Sequence, residues 1–401
     1  MRIISYADLT WPEVAELPRT LPMLIPLGLG TYDLHALAGL PHPQALCLLP
    51  AMPYGFARTD SNPLAALTVP STLWRRVLRG IAGELLSQGF RQIWLLTPAG
   101  MADPVRPTGW PVVTAPFEPA PCSPWPADLT RRVVVISTGH TEQHGHHLPL
   151  STDTVIVQAI ADGLARRAPA EVCCLPAWPY GVSTHTRQFP GTLNLGGRVF
   201  EDFLLAVTTR LAALGAETLY FSNGHGGNHS FLVNVVKLAG EAHPLRFIAT
   251  EWLHTTGPAL GRYRETAIGG MGHGGELETS YMLHLRPDLV HMARATTETD
   301  FISTPEYFMD WIESGSLIAN PPWSDDTISG IYGDGRLGTA AKGRLWLEAA
   351  VEEKLDRVRE IREQHTLRHL HRTWRSESGR VQDQARHSAT SHHFPPFPLN
   401  P

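Results

Sequence analysis

At 401 residues the chain is long enough for two domains, each with a core of its own. Charged residues make up only 18% of it and the formal net charge is −5, so no basic face recommends nucleic acid as a partner. Met1 to Asp8 lacks the apolar core of a signal peptide, and no apolar run approaches the ~18 residues of a membrane span, so the expectation is a soluble, cytoplasmic protein with no membrane partner.

In chain order, the first feature is a repeat. Leu49 to Gly55 reads Leu-Pro-Ala-Met-Pro-Tyr-Gly, and Leu175 to Gly181 reads Leu-Pro-Ala-Trp-Pro-Tyr-Gly. The same offset places Cys47 on Cys173, the amphipathic stretch 73–86 on 199–212, and the run Ile93 to Leu96 on Leu219 to Ser222. Farther back, Leu24 to Gly28 resembles Val135 to Gly139 once about fifteen residues are taken as missing from the first copy. The missing piece is the helix expected after Asp153. Residues 1–115 therefore read as a shortened, degenerate unit. Thr31, Asp33 and Ala99 stand where the second copy has Glu142, His144 and His225, so the first unit is expected to fold similarly and catalyse nothing.

Residues 116–130 form a Pro-rich linker, stiff and poorly suited to a hydrogen-bonded ladder. A buried-looking strand at 133–136 follows. Helices are expected at 154–167, 199–214 and 229–242, and strands at 172–175, 218–221 and 247–251. Such alternation argues for right-handed βαβ units and a parallel sheet, with functional residues at the carboxyl ends of the strands. Asp153 or Thr152 sits where a helix N-cap belongs. The irregular stretch 296–338 reads as a substrate-covering lid or a surface excursion. A charged amphipathic helix over 340–365 ends a second unit, 131–370, and 371–401 has too little to bury and reads as a disordered tail. The cysteines, Cys47, Cys122, Cys173 and Cys174, form no C-x-x-C pair and read as free thiols.

The chemistry is concentrated just past the strand at 133–136, where Glu142, His144, His146, His147 and Asp153 fall within twelve residues. Carboxylates mixed with imidazoles at a strand end form a metal-ligand set. Further along, His225 lies in Ser-Asn-Gly-His-Gly-Gly-Asn and His273 in Gly-His-Gly-Gly-Glu, both at loop-to-helix junctions. Hydrolysing an amide at neutral pH needs a hydroxide and a polarised carbonyl, and two cations ~3.5–4 Å apart supply both. Glu142, His144, Asp153, His225 and Glu276 match the ligand count, with Asp153 placed to bridge. Glu278 is the neighbouring alternative to Glu276, as a ligand or as its hydrogen-bonded support.

Glu142-Gln-His-Gly with His147-Leu-Pro-Leu and Thr152-Asp153, then Asn223-Gly-His-Gly-Gly-Asn, then Gly272-His-Gly-Gly-Glu resemble, in order, the three signature blocks of the creatininase (creatinine amidohydrolase) family. The resemblance covers about residues 131–365 and implies a parallel-sheet α/β sandwich, here preceded by the degenerate copy. It implies two divalent metal ions (zinc, manganese or iron), hydrolysis of a small amide, cyclic amide or formamide, and a homo-oligomer whose size the first unit is expected to reduce. By position, Glu142 and His225 bind one metal, His144 the other, and Asp153 bridges. His273 resembles the histidine that delivers a proton to the leaving nitrogen, Asp153 or the neighbouring Glu276 takes a proton, and Glu276 completes the ligands. Creatinine-opening members carry a Glu where this chain has Gly227, which turns the expectation away from creatinine. Members often have Glu-His where this chain has His185-Thr186, a change in the pocket wall. The alternative is a ligand-binding or scaffold protein with a structural metal, but no cysteine lies near the motifs. A dinuclear phosphoesterase would bring more basic residues than flank these loops.

Overall fold

Short apolar runs become strands and amphipathic stretches become helices in the order the sequence suggests, arranged on two parallel sheets. A computed structural model describes residues 1–37, 44–57, 62–101, 106–122, 125–242, 247–251, 257–311 and 315–387. The first part runs β1 (Arg2–Ser5), α1 (Trp11–Glu16), β2 (Met23–Pro26), β3 (Gly30–Tyr32), β4 (Ala45–Leu48), α2 (Ser71–Ser87), β5 (Ile93–Pro98) and β6 (Val112–Ala115). Its parallel sheet has the order β1-β4-β2-β5-β6. After β7 (Phe117–Pro119), the second part runs β8 (Val133–Thr138), α3 (Thr152–Arg167), β9 (Val172–Cys174), α4 (Gly197–Ala213), β10 (Thr218–Asn223), α5 (His229–Ala242) and β11 (Phe247–Thr250). Its sheet, also parallel, has the order β9-β8-β10-β11. Then come α6 (Pro258–Tyr263), α7 (Glu276–Leu285), the two-stranded ribbon of β12 (Thr297–Glu298) with β13 (Gly333–Asp334), and α8 (Ala340–His387).

β8 is buried along its whole length, as a strand covered on both faces must be. Val134 and Ile136 face one core, and Val133 and Val135 face the other. The first core reaches across both sheets. It holds Leu73, Trp74, Val77 and Ile81 of α2 together with Phe200, Phe203, Leu204 and Val207 of α4, and the two helices pack on each other. Both show the i, i+3, i+4 spacing of an amphipathic helix. Trp178 and Tyr180 pack in this core beside Met52 and Tyr54, as their places in the repeat suggest. The second core covers the opposite face of the sheet with α3, α7 and the first half of α8. At about 1.5–3 kcal/mol for each buried large apolar side chain, these two cores dominate the favourable side of folding.

The structure differs from the sequence reading in two places. The Pro-rich linker does join a ladder: β7 pairs antiparallel with β3, its proline at the strand end opposite Gly30. A Cβ on Gly30 would lie 2.2 Å from the Glu118 carbonyl oxygen, so only glycine allows this approach. The last helix, expected over 340–365, runs on to His387, through most of the segment expected to be disordered. Its apolar stripe (Trp346, Leu355, Val358, Ile361) is buried in the first half, and the helix continues beyond it. Residues 388–401 lie outside the described residues. Among the described residues no helix is long and apolar enough to cross a membrane. The cysteines are unpaired, and burial pushes the Cys47 and Cys174 thiols up to about 12.

Candidate metal centre

The site lies at the carboxyl ends of β8 and β10, where a parallel α/β sheet leaves a crevice. The chain leaves β8 at Thr138, loops through Glu142 and His144, and enters α3, with Asp153 in the first turn. No side chain caps α3. The Asp153 carboxylate turns into the site instead. β10 ends at Asn223, whose Oδ1 accepts from the His225 amide and sets the turn. Asn228 fixes the same loop by accepting from Val182 N and donating to Gly139 O.

Glu142, His144, Asp153 and His225 come together, all buried. His225 Nε2 donates to the Val182 carbonyl at 3.1 Å, which leaves a lone pair on Nδ1. That Nδ1 lies 3.1 Å from Glu142 Oε2 and 3.0 Å from Asp153 Oδ2. Neither oxygen has a hydrogen-bond partner. His144 repeats the arrangement. Its Nδ1 donates to the Glu142 carbonyl at 3.0 Å, and its Nε2 lies 3.0 Å from Asp153 Oδ1 and 3.8 Å from Glu278 Oε2. The two oxygens of Asp153 thus face two different imidazoles. Acceptors turned toward one another in a buried site repel unless positive charge sits between them, and a carbonyl fixing the far ring nitrogen is the usual support of a ligating histidine. These residues fit a pair of cations.

With no cation, protons must supply that charge. Burial alone would lower His144, but the Asp153 and Glu278 carboxylates more than offset it and push it up to about 9. His225 is likewise raised well above the ordinary imidazole value, against burial, by Glu142 and Asp153. Burial would raise Glu142, yet His225 and His273 hold it well below the usual carboxylate range. Its other oxygen, Oε1, accepts from Thr186 at 3.0 Å and from Ser183, which leaves Oε2 free to face the cluster.

Glu276 is not part of this cluster, which corrects the expectation. Its carboxylate accepts from the amides of Glu265 and Thr266 and from Lys342 Nζ at 2.7 Å, tying α7 to α8 and to the preceding loop. Glu278 faces His144 instead, its Oε2 also accepting from Gly274 N. Residues two apart on a helix are turned about 200° from each other, so one of the two must point away. His273 stands at the edge of the cluster. Its Nε2 donates to the Gln143 carbonyl at 2.6 Å, and its Nδ1 lies 3.9 Å from Glu142 Oε2.

One histidine, His140, adds to the sequence reading, and three named there take their places around the cluster. His140 is fully buried beside His225, and burial lowers it to about 3. Its Nδ1 accepts from Gly181 N, so the proton sits on Nε2, which has no partner. The apolar pattern around His140 gave no sign of it. His185 lies 3.6 Å from Glu142 Oε1. His147 bonds Thr279 and stays outside the cluster, while His146 packs on Trp11. A cavity of about 940 Å³ opens from the cluster, lined by His185, His225 and His273 at its base and by residues from 301–311 and 315–332 along one side.

The family model described as creatinine amidohydrolase (Creatininase) matches residues 126–358. A mycofactocin precursor peptide peptidase of Mycobacterium ulcerans is 31% identical over 243 residues, 59% of this chain and 86% of its own. A creatinine amidohydrolase of Pseudomonas putida is 29% identical over 245 residues, 57% of this chain and 89% of its own. A solved structure titled "Creatininase Mn" superposes with a TM-score of 0.48 at 26% identity, covering 57% of this chain and 91% of that one. Fold, buried imidazole–carboxylate cluster and relatives together define a metal-binding amidohydrolase. The chain belongs to the creatininase family.

Proposed function

We propose that the protein hydrolyses the C–N bond of a small amide, cyclic amide or formamide with two divalent cations, zinc, manganese or iron. The observation that carries this reading is the bridging geometry of Asp153, with one oxygen 3.0 Å from His144 Nε2 and the other 3.0 Å from His225 Nδ1. Glu142, His225 and Asp153 would hold one cation, and His144, Asp153 and Glu278 the other. Bound there, the pair supplies Lewis acidity toward the carbonyl and lowers the pKa of water. The chain's own residues do the rest. Asp153 fixes the spacing of the two sites. Ser183 and Thr186 hold Glu142 in place, and the Gln143 carbonyl accepts from His273 Nε2, so that the bare Nδ1 faces the reaction, where it can take the proton given up by the attacking water and pass it to the departing nitrogen. Gly227, where a carboxylate would be needed to match creatinine-opening members, argues for a substrate other than creatinine.

We further propose that residues 1–115 are a degenerate copy of the catalytic unit. Support comes from the matching strand orders, β4-β2-β5-β6 and β9-β8-β10-β11. The offset that carries Ser71 to Gly197 also carries Arg76 to Asp202, and these two pair across α2 and α4 at 2.6 Å. Equivalent positions meeting in this way are what a two-fold axis between two subunits produces. The first unit stands as an internal partner, and the protein assembles as a smaller homo-oligomer than single-unit members form.

The test is metal analysis with turnover. Purified protein reconstituted with zinc or manganese should hold two ions per chain and release ammonia, formate or amine from members of an amide panel. A chelator should abolish release, and metal should restore it. Full loading without release from any carboxamide, lactam or formamide would sink the hydrolase reading.

A further inference from the structure

Creatinine or a formamide would fill only a corner of the cavity above the cluster. Its volume of about 940 Å³ is at the upper end of sites that enclose drug-sized ligands. One wall is a run of aromatic rings leading outward from the reacting groups. Trp323 lies 4.3 Å from the His185 ring and 4.9 Å from the His273 ring, centroid to centroid. Tyr332 follows at 4.5 Å from Trp323, and Phe301 stacks on Tyr332 at 4.1 Å. At the mouth, Ile302, Leu317 and Ile318 line the cavity and are still 69%, 60% and 95% exposed. Single exposed apolar side chains are ordinary, but three at the rim of an aromatic-walled cavity mark a place where apolar matter enters.

The polar groups of the wall give the same indication. No Lys or Arg is among the described lining residues, so a carboxylate or phosphate lodged along the wall, away from the cluster, would find no Lys or Arg counter-charge. Asp310 is already held by Arg264 and by the amide of Gly269, and Asp326 accepts from Tyr332 and from the amide of Ile302. Along this wall the chamber is mostly apolar, with Asp310 and Asp326 occupied, and it is continuous with the cluster through Trp323.

We propose that this chamber binds a large uncharged group, so that the substrate is an amide carrying an aromatic or long aliphatic substituent. Its C–N bond lies at the cluster beneath Trp323 and its substituent lies along the rings of Trp323, Tyr332 and Phe301. The proposal rests on the hydrolytic reading of the cluster.

The experiment uses the full chain loaded with zinc. Acetohydroxamate and phenylbutyrohydroxamate share a metal-binding head and differ in the apolar tail, and calorimetry compares their affinities. Removing even about 60 Å² of phenyl surface from water is worth a factor of about ten, so the phenyl compound should bind at least that much tighter. The double variant Leu317→Asp with Ile318→Asp changes exposed positions and should cut the preference to less than half. Turnover of phenylbutyramide should exceed that of acetamide in kcat/KM in the same sense. Equal binding of the two hydroxamates overturns the chamber assignment and leaves the hydrolytic reading standing. A strong phenyl preference with no turnover of any amide overturns the hydrolytic reading and leaves the chamber as a ligand pocket. Binding of neither compound overturns both.

Discussion

His144 and His225 each commit one ring nitrogen to a backbone carbonyl, and that decides what the other nitrogen can do. The consequence was partly legible in the sequence. Glu142, His144 and Asp153 fall within one loop and helix start, and His225 is bracketed by glycines, so local spacing was enough to bring them together. The choice between Glu276 and Glu278 was not local. It depends on which face of α7 meets the cluster, and that is set by packing against α3 and α8, far away in sequence. The pair gives a sharp test. Glu278→Ala should lower bound metal to about one ion per chain by elemental analysis. Glu276→Gln should keep both ions and lose about 1–3 kcal/mol of stability in denaturant melts, because one carboxylate oxygen becomes an NH2, so that either Lys342 or the Thr266 amide loses its acceptor and the charge opposite Lys342 is gone. Equal metal loss in both variants would return Glu276 to the ligand set. For His273, whose Nδ1 stands 3.9 Å from Glu142, replacement by Ala should leave the metal in place and reduce kcat by about 10²–10⁴. A variant with full activity would remove His273 from the chemistry.

At the scale of elements, the loop 224–228 leaves no room for a side chain at position 227. A Cβ on Gly227 would sit 2.3 Å from the Val182 carbonyl oxygen and 2.5 Å from His225 Nε2. That carbonyl is the group that fixes the His225 ring, so it cannot retreat without releasing the ligand. Gly227→Glu, far from restoring creatinine hydrolysis, should displace His225 and lower metal occupancy. Creatinine turnover with both ions retained would contradict this.

The excursion over 296–338 is pinned in the same way, by a buried ion pair. Arg264 Nη1 bonds Asp310 Oδ1 at 2.7 Å, and Asp310 Oδ2 accepts from the Gly269 amide, with both side chains almost inaccessible. Arg264→Met strands a buried carboxylate, at a cost of about 3–5 kcal/mol. Calorimetry should show a lower Tm, and limited proteolysis should cut earlier within 296–338. The boundaries of α2 to α5 were read from periodicity to within a few residues, whereas the end of α8 was not. Nor was the pairing of β7 with β3, because it needs a distant glycine to admit a proline-bearing strand.

For the whole molecule, the decisive fact is that one core serves both sheets. Val134 and Ile136 of β8 share it with Trp74, Val77 and Ile81 of α2. The repeat in the sequence made a second unit legible, but nothing in the sequence said that the two would fold as one body. Domains with separate cores unfold separately, whereas a common core couples them. The full chain should therefore melt in a single calorimetric transition, and residues 116–401 expressed alone should be insoluble or molten. Two resolved transitions would contradict the common core.

None of the first ten residues lines the cavity, yet the amides of Leu150 and Ser151 donate to the carbonyls of Leu9 and Ala7, and Trp11 lies against His146 and Phe189. The opening segment is thus a splint, bracing the peptide that carries Glu142 and His144 into α3. Drift at those opening positions would surface as lost catalysis with every ligand side chain intact, and a search for the lesion confined to the crevice would miss it.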